Sequence, residues 1–153
     1  MNREQLSEGS WRLTHGQAEV YFSVPKPGVV VIAASGSGNT VVDDVVFKML
    51  EEEIERGGPL RIFADLSTLR RVASETREKA SAWAKGRRMH VEATHLLVRS
   101  KLIEMAFSVI GMLVSGRFKI YSNGDEFYAV LRAEAPDFKA ARPQVSISNA
   151  GVR

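Results

Sequence analysis

Between residues 17 and 24 apolar and polar positions alternate, with Ala18, Val20, Phe22 and Val24 on one side, the period-2 signature of a half-buried strand. Pro25, Lys26, Pro27 and Gly28 make a turn. Val29 to Ala33 is an unbroken apolar run, so the two segments predict a hairpin. Residues 35–39 (Ser-Gly-Ser-Gly-Asn) read as a flexible connection. From Thr40 the period changes to that of a helix: Val42, Val45, Val46, Met49, Leu50 and Ile54 form one stripe, with Thr40 as the expected N-cap and Gly57, Gly58 and Pro59 as the stop.

The same alternation of periods continues. Residues 60–66 predict a third strand, followed by a loop through Arg70 and Arg71. A helix spans about 74–89 and a fourth strand 94–98. Ser100 caps a helix over 101–114, residues 118–121 make a short fifth strand, and Ser122-Asn123-Gly124-Asp125 opens a last helix with Phe127, Tyr128, Val130 and Leu131 on its apolar face. Interleaved strands and helices need crossover connections. The fold class is therefore α/β: a mixed sheet of about five strands, an N-terminal hairpin then parallel, with about four helices. The expected division is an N-terminal extension over 1–16, one domain over 17–138 and a flexible C-terminal tail over 139–153.

Composition narrows the chemistry. The chain has 153 residues, enough for one domain with a real core, and no cysteine, which removes disulfides, thiolate nucleophiles and thiolate metal sites together. The polar start and the shortness of the apolar run over 105–114 predict a cytoplasmic protein with no membrane insertion. Charge is uneven. Thr40–Gly57 carries Asp43, Asp44, Glu51, Glu52, Glu53 and Glu55 against Lys48 and Arg56, whereas 70–101 is strongly basic. Such an asymmetry can steer a partner or dock one copy of the domain on another.

Around Asp65 the pattern resembles the STAS superfamily, named for sulfate transporters and anti-sigma-factor antagonists. It is most similar to the single-domain bacterial SpoIIAA-like and STAS/SEC14-like proteins. An aspartate ends a buried strand in Ile62-Phe63-Ala64-Asp65-Leu66-Ser67, and a helix begins about nine residues later at Ser74. The stretch from Phe118 to Phe127 resembles the family's closing strand and capped helix, and the element order agrees over about 17–131. The resemblance implies a compact regulatory surface that binds a protein partner. It also implies a phosphoacceptor at the start of the helix after the aspartate strand, within an Asp-Ser-Ser-Gly-like signature. The matching stretch here is Val72-Ala73-Ser74-Glu75-Thr76, in which Ser74 alone corresponds.

Ser74 thus has two readings, a helix N-cap and a regulatory phosphoacceptor beside Arg70, Arg71 and Arg77. The basic face is otherwise a solvated helix surface. It lacks the interleaved aromatics of a nucleic-acid platform, so no nucleic-acid partner is expected. The glycines at 36 and 38 lack the lysine and spacing of a phosphate loop. His15, His90 and His95 are far apart in sequence, no nucleophile elbow surrounds a serine, and Asp65 stands alone. No catalytic residue, metal site or cofactor is expected. The 102–114 helix is apolar all round, so its far side needs cover from the same chain, from a homodimer partner through residues such as Phe107 and Ile110, or from an apolar ligand. The expected function is a non-catalytic regulatory protein–protein interaction module, with a small lipid-like ligand as the alternative.

Overall fold

The computed structural model describes residues 1–140. Its single sheet has seven strands in sequential order: β1 (Asn2–Ser7), β2 (Ser10–His15), β3 (Ala18–Lys26), β4 (Val29–Ser37), β5 (Leu60–Arg71), β6 (Val91–Leu97) and β7 (Arg117–Tyr121). The first four form an antiparallel meander, and β4 to β7 run parallel. Helices α1 (Thr40–Gly57), α2 (Ser74–Gly86) and α3 (Lys101–Ser108) make the three crossovers, and α4 (Gly124–Glu134) closes the described chain.

Each crossover advances in the same direction along the sheet, so a constant right-handed sense stacks α1, α2 and α3 on one face. The core clusters agree. Val42, Val46, Met49, Leu50 and Ile54 of α1 pack on Val20, Phe22, Val30, Leu60 and Ile62. Ile103 of α3 packs on Ala64, Leu66, Leu96 and Val98. On the opposite face Phe127 and Leu131 of α4 meet Val29, Val31, Phe63, Leu97 and Tyr121. Fully burying each of these side chains contributes about 1.5–3 kcal/mol.

The fold class agrees with the sequence expectation, while the strand count rises from about five to seven. Residues 1–16, read as an extension, supply β1 and β2. Every residue of β1 is exposed, so this edge strand carries no apolar period to detect. In β2, Leu13 joins the core and Gly9 and Gly16 turn the hairpins at φ 74° and 58°. The expected flexible stretch after Ala33 is ordered too: Ser35, Gly36 and Ser37 remain in β4, paired with Thr68, Leu69 and Arg71 of a longer β5. Gly36 has φ 79°, and a β-carbon on it would lie 1.9 Å from the Gln17 carbonyl oxygen, so the glycine answers a backbone approach.

Two caps shift by one residue. Asn39, not Thr40, caps α1, its Oδ1 accepting from the Val41 and Val42 amides at 2.9 and 3.3 Å. Ser74 is not the cap of α2 either. Ala73 holds that position with no side-chain bond to the first turn, and Ser74 is the first helical residue. Ser100 caps α3 as expected, and within the stretch Ser122–Asp125 the cap of α4 is Asn123. The 101–114 helix is α-helical only to Ser108, and a 3-10 turn, Val109–Met112, carries the chain on through two β-branched residues and Gly111. Of the expected tail over 139–153, residues 141–153 lie outside the described residues.

Candidate functional site

The helical layer ends in a cluster of candidate residues. Arg70 and Arg71 close β5, Ser74 opens α2 and Arg77 lies on its first turn, all exposed. These arginines make no ion pair among the described residues. Gly38 ties this end together, its amide donating to the Arg71 carbonyl at 3.0 Å. Part of the remaining charge asymmetry is satisfied within the chain. Lys79 of α2 pairs with Asp44 of α1 at 2.7 Å, and Arg87 grips Glu51 through two hydrogen bonds. The Trp83 indole N–H adds a third bond to Glu51 at 3.0 Å. The Arg87 bonds, against a smaller opposing effect of burial, hold the Glu51 carboxyl below its usual range. The acidic and basic helices therefore face each other, which the sequence reading had assigned to a partner or a second copy.

Phe107 and Ile110, expected on an interaction surface, turn inward. Ile110 is only 9% exposed, and Phe107 packs beside Leu66, Leu96 and Val98. Helical geometry makes the other side face out. Leu102, Met105 and Met112 are 77%, 69% and 82% exposed, and Met89 in the turn after α2 is exposed as well. Soluble proteins seldom leave a run of large apolar side chains uncovered, so this face is a candidate interface. The sequence signal for it was the all-round apolarity of the segment; the assignment of faces was not available from it.

Beneath α1, α2 and α3 lies a cavity of about 180 Å³. Val20, Ile32, Ile62 and Leu96 of the sheet, with Phe47 and Trp83 above, belong to its lining. Phe47 and Trp83 stack, their centroids 5.6 Å apart. At one end are Asp43 and Thr76, which sequence reasoning did not connect because they lie on different helices. Burial pushes the Asp43 carboxyl above its usual range. The Thr76 hydroxyl opposes that rise most, with Asp44 reinforcing it and Lys79 opposing it less. Both Asp43 Oδ2 and Thr76 Oγ1 are inaccessible to solvent, and beyond their contact with each other neither finds a hydrogen-bond partner among the described residues.

On the opposite face the polar groups are structural. Buried Asp65 accepts from the Ser67 amide at 2.9 Å, from its hydroxyl at 2.6 Å and from the Tyr128 hydroxyl. It is an acceptor within β5 that bonds locally to Ser67 and across to Tyr128 of α4. His95 is hydrogen-bonded through Nδ1 to the Tyr121 hydroxyl at 2.8 Å. Among the described residues no three His, Asp or Glu side chains gather as a metal site, and no helix is long and apolar enough to cross a membrane.

A parallel sheet fed by an antiparallel meander, with three helices on one face and one on the other, is an α/β architecture whose fold two solved structures share. An uncharacterised Shewanella loihica protein of the DUF3478 family with a SpoIIAA-like fold superposes with a TM-score of 0.58 at 12% identity, over 78% of this chain and 98% of that one. An anti-sigma factor antagonist from Mycobacterium paratuberculosis superposes at 0.52 and 14% identity, over 78% and 99%. No family model and no curated protein matches the sequence. At these identities the likeness is one of fold.

Proposed function

We propose that this domain is a non-catalytic regulatory module that works in the bacterial cytoplasm by binding another protein. The observation that carries the reading is the uncovered apolar face of Leu102, Met105 and Met112. Flexible methionines suit an interface that adapts to its partner. The anti-sigma factor antagonist fold supports the same role. Arg70, Arg71 and Arg77 border the start of α2, where a phosphate on exposed Ser74 would meet the positive helix end and alter the surface a partner sees. A homodimer formed through the apolar face is one version of this function.

The test uses the intact domain as bait in native bacterial cytosol, beside a Met105→Asp/Met112→Asp variant. Because both positions are solvent-facing, the variant folds as the parent does. A specific protein, or a second copy, retained by the parent and lost by the variant is the expected result. Equal retention by both, or no specific retention, refutes the reading.

A second reading rests on its own observation. The half-open apolar cavity beneath α1, α2 and α3 supports binding of a small apolar ligand. Phe107, Ile110 and Val114 of the expected 102–114 segment belong to its lining, and it extends under α1 and α2 against the sheet. Saturation-transfer NMR with small aromatic probes tests it, and no transfer from any of them counts against it.

A further inference from the structure

Helix α2 is held mainly from its sides, by α1 and by the Val109–Met112 turn, and along its length it buries only Thr76 and Ala84. The cavity is the gap that remains between this helix and the strands. Side-chain size accounts for the gap: Ala80 and Ala84 of α2 and Ala34 and Ala64 of the sheet all belong to its lining. Protein interiors are close-packed, and a void costs its walls the contacts that an occupant restores. An apolar cavity of about 150 Å³ accommodates benzene. The 180 Å³ here therefore suits one ring with a short alkyl substituent. A charged group finds no counterpart. Among the described residues no lysine, arginine or histidine lines the cavity. Its one carboxylate, Asp43, is bonded by the Thr76 hydroxyl, and Asp43 Oδ2 and Thr76 Oγ1 are both closed off. The Trp83 indole N–H is committed to Glu51 at 3.0 Å. An ion entering the cavity would lose its water without gaining a partner.

We propose that the cavity binds a neutral, single-ring aromatic molecule that fills the gap between α2 and the sheet. This rests on the second reading above, that the cavity is a ligand site, and adds the chemical class. Phe47, Trp83, Phe107 and Phe118 line the space, and aromatic walls favour an aromatic ring beyond the area it buries. A saturated ring of the same size gains the area alone. The occupant supplies packing that α2 lacks, so the helix from Ser74 to Gly86 opens less often when the cavity is filled.

The experiment titrates the whole chain with toluene, methylcyclohexane, benzylamine and benzoate, followed by methyl shifts at Ala80, Ala84 and Leu96 and by hydrogen exchange of the α2 amides. Toluene is expected to bind about ten-fold or more tighter than benzylamine or benzoate, and more tightly than methylcyclohexane. It is also expected to slow exchange across α2. Ala80→Leu and Ala34→Val fill the cavity from the helix wall and from the sheet wall, and each weakens toluene by about ten-fold or more. Melting curves establish that each variant is folded, and Ala34→Val carries the test if Ala80→Leu is not. Equal binding of the neutral and charged rings overturns the proposed chemistry while leaving a ligand site, as does methylcyclohexane binding as tightly as toluene. Toluene binding that is indifferent to both variants, or that leaves α2 exchange unchanged, places the ligand elsewhere and overturns the proposal. No binding by any of the four overturns both the chemistry and the ligand reading.

Discussion

The imidazole of His95 lies flat on the ring of Phe63, their centroids 4.4 Å apart and their planes within 6°. Tyr121 fixes the ring from its other side through a 2.8 Å bond to Nδ1. This sandwich joins β5, β6 and β7 on the α4 face. Burial lowers the His95 pKa below its ordinary 6.5, with Arg117 and Lys119 adding to the effect and Glu134 opposing it. The unfolded chain thus binds the proton more readily than the folded one. Stability contributed by neutral His95 is complete above pH 6.5 and is lost as pH falls toward the folded pKa. Melting temperatures between pH 5 and 7 should fall more steeply for the parent than for His95→Gln. Identical slopes would contradict the assignment.

The two helix starts provide a paired comparison. Asn39 caps α1 through two amides, whereas Ala73 leaves the first turn of α2 without a side-chain acceptor. Asn39→Ala should cost about 1 kcal/mol, and Ala73→Asp should add a similar amount. Arg70, Arg71 and Arg77 are near in sequence and favour the new carboxylate. Urea unfolding of the two variants measures both signs, and a destabilised Ala73→Asp would show that the turn before α2 cannot take a cap.

How much of this was legible in the sequence follows from where each signal resides. Core strands and α1 announce themselves because their apolar positions repeat, as Val42, Val46, Leu50 and Ile54 do. β1 is wholly exposed, so nothing in its side chains marks it as a strand. The Ser-Gly-Ser-Gly stretch reads as a loop because its strand character comes from neighbours, Gln17 on one side and β5 on the other. The basic residues around Ser74 were visible as composition. That Phe107 and Ile110 point inward while Leu102 and Met105 point out depends on how the helix rotates against the sheet, which an all-apolar segment does not encode locally. The Asp43 and Thr76 pair is tertiary, brought together by the packing of α1 against α2.

Gly36 carries one of the sharpest sequence constraints. With φ at 79° and the Gln17 oxygen 1.9 Å from where a β-carbon would stand, any side chain displaces β3 from β4. Gly36→Ala should destabilise the domain by at least about 2 kcal/mol. Gly16→Ala shares a positive φ of 58° but meets nothing within 4 Å, so it should cost less. Denaturant midpoints for the two variants separate steric approach from backbone preference, and equal losses would mean that φ alone sets the cost.

Asp43 gives the opposite pH signature to His95. Its folded pKa is raised above the ordinary 3.8, chiefly by burial, so between the two values the folded state holds the proton more firmly than the unfolded chain. The associated stability is complete below about pH 3.8 and is lost as pH rises through the folded pKa, leaving an ionised carboxylate that opposes folding at neutral pH. Asp43→Asn removes that penalty. The variant should melt higher than the parent at pH 7, and the gap should close as the buffer is taken toward pH 4. A gap that widens on acidification would mean that the Thr76 hydroxyl and Lys79 outweigh burial and favour the native carboxylate.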